Sequence, residues 1–222
     1  HFILGPEVAA LEEAIASFCG AKFAVGVSSG TDALLVALMA LGVEPKDEVI
    51  TSSFSFFATA GVIARLHARP VFVDIEPDTF NLDPTQVEAA ITSKTRAIIP
   101  VHFGGQPCEM DQILDIAKRH NLRVIEDAAH ALPASEHGRT IGTIGDITCF
   151  SFYATKTITT GEGGMATTEN SEWAERMRMM SLHGISHDAW KRYTKEGSWY
   201  YEILYPGFKY NLTDIAAAIG IQ

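Results

Sequence analysis

The chain has 222 residues, 47% hydrophobic and 20% charged, the composition of a soluble globular protein of one large domain or one and a fraction. Its formal net charge of −10 argues against nucleic acid or an anionic membrane as partner, and no apolar run approaches membrane-spanning length. Cys19, Cys108 and Cys149 are odd in number and lack metal-type spacing, so they read as reduced thiols of a cytoplasmic protein, with neither a disulfide framework nor a metal centre. In chain order, Pro6 to Phe18 has apolar residues at helical spacing with acids in its early turns, an amphipathic helix. Ala24 to Val27 is a short buried strand. It runs into Ser28-Ser29-Gly30-Thr31-Asp32 and then a wholly apolar helix that stops at Gly42. A strand, a small polar turn and a helix start together bind anions, because free backbone N–H groups and the helix dipole point at the turn. A plain Ser/Thr/Asp N-cap is the competing reading.

Glu48 to Ser52 reads as a strand, and Phe54-Ser55-Phe56-Phe57 opens a helix that runs to about His67. Val71 to Ile75 is a strand, Asp83-Pro84 starts a helix through Ile91, Arg96 to His102 is a strand and Glu109 to His120 a helix. Leu122 to Ile125 is a strand that ends in Glu126-Asp127. This alternation predicts an α/β fold, a parallel sheet with helices on both faces. Ligands of such sheets gather at the strand C-terminal ends. Ser28–Thr31, Phe54–Phe57, His102, Asp127 and Ser151–Lys156 fall there.

Ile147 to Phe152 is a further apolar strand, followed by a polar turn with one lysine, Lys156, and by Gly161-Glu162-Gly163-Gly164 before the strand Met165 to Thr168. Taken alone this is a solvated loop lysine. A lysine between strand ends with glycines crowding close also suits an amine that reaches a bound cofactor. Glu172 to Leu182 is a helix stopped by His183-Gly184. Ile185 to Pro206 is irregular and aromatic, the kind of long stretch that is functional or interfacial. Gly207 to Asp214 leads into an alanine-rich helix, and the abrupt start at His1 and stop at Gln222 imply a fragment of a larger protein.

Asp127 and Lys156, with a small-hydroxyl anion cradle, fit pyridoxal 5′-phosphate (PLP). The lysine forms the Schiff base, the aspartate pairs with the pyridinium nitrogen, and hydroxyls and backbone N–H groups hold the phosphate. A dinucleotide site would want G-x-G-x-x-G after the first strand, which SSGTDA does not supply.

The ordered set SSGTDAL, DEVITSSFSFFATA, PVFVDIEPDTFNLDP, RAIIPVHFGG, VIEDAAHA, FSFYATKTITTGEGG and GFKYNLTDIAAAIG resembles the DegT-like nucleotide-sugar aminotransferases, PLP enzymes of fold type I. The resemblance implies a large domain with a central mixed, mostly parallel seven-stranded sheet, with a smaller C-terminal domain that is mostly absent here, and a homodimer. It implies Lys156 as the Schiff-base lysine, Asp127 as the pyridinium partner, Gly30, Thr31 and Ser151 as the phosphate cradle, and Phe56 as the aromatic stacked on the ring. Many members carry Gln where this chain has His130, which keeps a donor for the ring hydroxyl. His183 either shapes the substrate side or caps a helix. Where many members have G-Y-N-Y-R, this chain has Gly207-Phe208-Lys209-Tyr210-Asn211. Either Lys209 or Asn211 would then reach the neighbouring subunit's phosphate.

The activity implied is transfer of an amino group, with L-glutamate as donor, to a nucleotide-linked keto-sugar. PLP sugar dehydratases typically replace the lysine by histidine, and Lys156 argues against that reaction. A catalytically silent regulator would have no chemical need for Lys156, Asp127 and Ser151 together. Between His187 and Tyr205, Trp190, Trp199, Tyr200, Tyr201, Lys191, Arg192 and Lys195 either line a substrate entrance or pack a dimer interface.

Overall fold

The computed structural model describes residues 2–185 and 202–222. Seven strands share one sheet, in the order β1 (Phe23–Val27), β9 (Gly164–Thr168), β8 (Ile147–Ser151), β5 (Arg123–Asp127), β4 (Thr95–Ile99), β2 (Glu48–Ser52) and β3 (Arg69–Val73). β9 runs antiparallel to both β1 and β8, and the remaining pairs are parallel. The sheet is therefore mixed and mostly parallel. Strand–helix alternation alone predicts a purely parallel sheet and misses the direction of β9. The chain leaves β8, turns through Gly161 at φ 81° and returns beside it without crossing the sheet.

Alternation along the strands decides which helices cover which face. Val25 and Val27, Val49, Ala97 and Ile99, Ile125, Cys149 and Ala166 point to one side, against α2 (Gly30–Ala40), α3 (Phe57–Arg65) and α6 (Ser171–Met180). The intervening Ala24, Phe150 and Met165 meet α1 (Pro6–Cys19) and α7 (Asp214–Gly220) on the other side. Ile50, Ile98 and Val124 meet α4 (Pro84–Ala90) and α5 (Met110–Arg119) on that same side. A period of two in side-chain direction thus builds a three-layer molecule with helices on both faces.

Several boundaries differ from the sequence reading; β4, for one, ends at Ile99 rather than His102. β3 begins two residues earlier than expected and contains Pro70. It is an edge strand with β2 alone beside it, where a missing N–H costs no ladder bond. α3 starts at Phe57 rather than Phe54, because the Ser52 hydroxyl accepts the Phe54 N–H (3.0 Å) and holds residues before the helix in a turn. A small hairpin of β6 (Ser135–Glu136) and β7 (Arg139–Thr140) is too short to leave a hydrophobic period. The aromatic and basic side chains expected to form an entrance at residues 190–201 lie outside the described residues. No helix among the described residues is long and apolar enough to cross a membrane.

Candidate active site

The first turn of α2 faces the ends of β8 and β9. Ser29 is the N-cap: its Oγ accepts the Asp32 N–H at 3.1 Å. Both Ser28 Oγ and Ser29 Oγ donate to Asp32 Oδ2, at 2.6 and 2.8 Å. Those two hydroxyl hydrogens are engaged, so an anion here meets the free first-turn N–H groups of Gly30 and Thr31, with the Thr31 and Ser151 hydroxyls beside them. The backbones approach too closely for side chains. A Cβ on Gly30 would lie 2.8 Å from Ser151 Cβ, and one on Gly164 only 2.4 Å from the Ser29 carbonyl. The structure therefore sets Gly30, the residue before Thr31 on the first turn of α2, against Ser151 at the end of β8.

Asp127 closes β5 and is 6% exposed. Strand alternation sends it toward α3 while its neighbour Glu126 points the other way. Asp127 Oδ2 accepts the Thr59 hydroxyl at 2.7 Å, and Oδ1 accepts the Ala129 N–H at 3.3 Å. Its backbone is held as well, Asp127 N–H donating to Pro100 O (2.9 Å) and His102 N–H to Asp127 O (3.0 Å). Thr59 sits in the first turn of α3, three residues after the N-cap Phe56, whose ring is 80% exposed at this edge of the sheet. Thr59 carried no signal in the sequence. It is one polar residue in an apolar helix start.

After β5 the chain turns at Ala128–Ala131 and brings His130 over the β8–β9 connection. Lys156 Nζ lies 2.7 Å from His130 Nε2. With the amine protonated, Nζ donates and Nε2 accepts, which leaves the ring hydrogen on Nδ1. Loss of hydration lowers the pKa of Lys156 from its ordinary value, and the Asp127 charge opposes that fall. His130 is lowered by burial and by the Lys156 charge, again opposed by Asp127. Lysine, histidine and aspartate thus form one electrostatic unit.

His102 follows the end of β4 as the sequence places it, its N–H on Asp127 O, but its side chain turns away from the Lys156 side. It is buried, with Nε2 against Glu126 Oε2 (2.9 Å) and Nδ1 accepting the Cys108 N–H (3.1 Å). Glu126 also accepts Gly145 N–H (2.7 Å) and Thr148 Oγ (2.6 Å), which makes a closed polar network beneath the strand end.

The segment after Gly207 lies along the cradle. Tyr210 O accepts the Ser28 N–H at 2.7 Å, and Asn211 bridges to Val27. Asn211 is 7% exposed. Its side chain accepts from Lys209 Nζ and donates to Leu212 O at 3.2 Å. Lys209 is exposed. His183 follows α6 with φ 59° and donates its N–H to Phe208 O at 2.7 Å, so its backbone closes the helix end. Phe54, Phe80 and Phe103, with centroids 4.9 to 6.1 Å apart, form a half-exposed aromatic wall from the loops after β2, β3 and β4.

The donor set fits PLP in chemistry and in shape. Two glycines whose Cβ atoms would collide shape the anion cradle, a carboxylate is clamped at a strand end, and a partly desolvated amine stands beside a histidine. The chain is 54% identical over 218 residues to the spore coat polysaccharide biosynthesis protein SpsC of Bacillus subtilis, covering 98% of the chain and 56% of that protein. It is 46% identical over 218 residues to the GDP-perosamine synthase of Caulobacter vibrioides, again covering 98% of the chain and 56% of the relative. Its fold matches the PLP form of Spr1654 from Streptococcus pneumoniae with a TM-score of 0.90 at 35% identity, covering 99% of the chain and 59% of that structure. The chain spans a little over half the length of these relatives. From residue 1 to residue 222 it matches the DegT/DnrJ/EryC1/StrS aminotransferase family, and it belongs to that family.

Proposed function

We propose that this chain carries the cofactor-binding part of a cytoplasmic PLP-dependent aminotransferase that moves an amino group from L-glutamate to a nucleotide-linked keto-sugar. The observation that carries the reading is the Lys156–His130 contact within the field of a clamped Asp127, beside a helix start that binds anions. PLP, when bound, supplies a ring that withdraws electrons from the carbon bearing the amine. The remaining roles belong to the protein. Lys156 is the amine that holds the cofactor covalently and moves the proton once released. Asp127 keeps the ring nitrogen protonated, His130 orients Lys156 and the ring hydroxyl, Phe56 offers a flat apolar face, and Gly30, Thr31 and Ser151 take the phosphate. His183 is assigned to the substrate side, and the half-exposed aromatic wall of Phe54, Phe80 and Phe103 is suited to a bulky substrate. The site is completed in a homodimer by Lys209 or Asn211 of the second copy. Lys209 is the favoured residue, because Asn211 is buried against its own β1.

Two measurements test this. Borohydride reduction of the PLP-loaded protein followed by peptide mapping should label Lys156, and a label on another lysine removes it from the mechanism. Enzyme loaded with pyridoxamine phosphate should be discharged far faster by nucleotide-linked keto-sugars than by pyruvate or oxaloacetate. If a simple keto acid other than 2-oxoglutarate wins, the sugar assignment fails while the PLP chemistry stands.

A further inference from the structure

The carboxylate of Asp127 has one side-chain donor among the described residues, and that donor is Thr59. Thr59 is 1% exposed, and its hydroxyl reaches Asp127 Oδ2 at 2.7 Å from the first turn of α3. Oδ1 has only a long contact to the Ala129 N–H, at 3.3 Å, so the short hydrogen bond from Thr59 is the tighter of the two constraints on the carboxylate. The N-cap residue of the same helix, Phe56, contributes no side-chain hydrogen bond, which leaves the orienting role to Thr59. Engaging Oδ2 has a direct effect. It fixes the rotation of the carboxylate and leaves Oδ1 as the freer oxygen for a protonated ring nitrogen. The Ser55 hydroxyl, 3.4 Å from Thr59 Oγ, shares the same turn.

We propose that Thr59 is a positioning residue of this site, which sets the orientation of Asp127 through its hydroxyl and couples that carboxylate to Phe56 on the same helix start. The proposal rests on the reading of Asp127 as the partner of the ring nitrogen. It assigns to α3 a role that its apolar sequence hides: one turn of helix carries both the aromatic face and the group that orients the acid.

The test compares Thr59→Val, which keeps the shape and removes the hydroxyl, with Thr59→Ser, which keeps the hydroxyl, and with Asp127→Asn as control. PLP is titrated into the cofactor-free protein, and the absorbance of the bound cofactor is followed with pH. A hydrogen bond to a charged group is worth enough for Thr59→Val to weaken PLP binding about tenfold or more. The pH midpoint of the absorbance change should rise by about half a unit or more, because a ring that loses its proton no longer depresses the basicity of the nitrogen joined to Lys156. Thr59→Ser should stay near the wild type on both readouts, and circular dichroism of all three variants should show the wild-type fold. If Asp127→Asn shifts the midpoint and Thr59→Val does not, the role of Thr59 is overturned while that of Asp127 survives. If Thr59→Ser is as impaired as Thr59→Val, the methyl packing matters and the hydroxyl proposal falls. If Asp127→Asn leaves both readouts unchanged, or the wild type takes up no PLP, the reading of Asp127 falls and this proposal with it.

Discussion

Asp127 raises the proton affinity of the Lys156 amine while desolvation lowers it, and the balance lies below the ordinary lysine value. Removing the aspartate charge removes the influence that opposes desolvation, so in Asp127→Asn the amine should titrate lower still. Labelling Lys156 with an amine-reactive reagent across pH, in cofactor-free protein, should give a wild-type midpoint below about 10.4. The Asp127→Asn midpoint should lie further down, and a midpoint that moves up would mean that the two groups do not share a field. The same variant should lose transamination strongly with its fold intact, since a neutral amide cannot hold a pyridinium proton through an ion pair. The strand ends that carry Asp127 and precede Lys156 were legible in the sequence, because buried apolar runs bounded by polar turns mark β5 and β8. Thr59 was not legible. Its contact joins residues 68 positions apart, and only the sheet order brings them together. The strand-end position of His102 was legible but the direction of its side chain was not: a histidine after a strand can face the ligand edge or fold back, and its partner Glu126 lies on a strand met later in the chain.

Single elements were legible where one face is buried and dim where it is not. β2, with all five residues buried, was read with its true bounds, whereas the half-exposed edge strand β3 was misplaced by two residues. β9 was recognised as a strand, but its direction was hidden, because direction depends on which neighbours it joins. Its first residue, Gly164, pairs with Ser151 and lies under Ser29 and Gly30, so one glycine sets the spacing between the sheet and the start of α2. Gly164→Ala would push a methyl group into backbone atoms at 2.4 Å that cannot rotate away. An overpacked contact of this kind costs about 2–3 kcal/mol. Denaturant unfolding should show that loss, and PLP affinity should fall with it. A variant of normal stability and affinity would mean that α2 is free to shift and that the cradle is not shaped by close approach.

At the scale of the whole molecule, the proposal of a site shared between two copies makes a prediction about mixtures. Lys156→Ala and a variant altered at both Lys209 and Asn211 should each be inactive. Mixed into heterodimers they should regain part of the activity, because one of the two composite sites then holds an intact lysine and an intact phosphate contact. With heterodimers confirmed and both parents inactive, absence of rescue would assign Lys209 and Asn211 to their own subunit's site. The hydrogen bond from Ser28 to Tyr210 and the bridge from Asn211 to Val27 show how short the reach is on the same chain, which makes this experiment decisive.

The position of β9 also has a consequence for how the protein comes into being. Among the described residues β1 joins the sheet through β9, with Phe23 opposite Thr168 and Val27 opposite Gly164. A ribosome that has delivered β1 and α2 therefore holds a helix start whose β9 neighbour is missing until residues near 168 emerge from the exit tunnel. Pairing across so long a stretch of chain is slow, because loop closure must precede its reward. In a nascent chain the cradle cannot gain its shape before β9 is delivered. Capture of PLP should accordingly follow the insertion of β9 rather than guide the early collapse of the sheet.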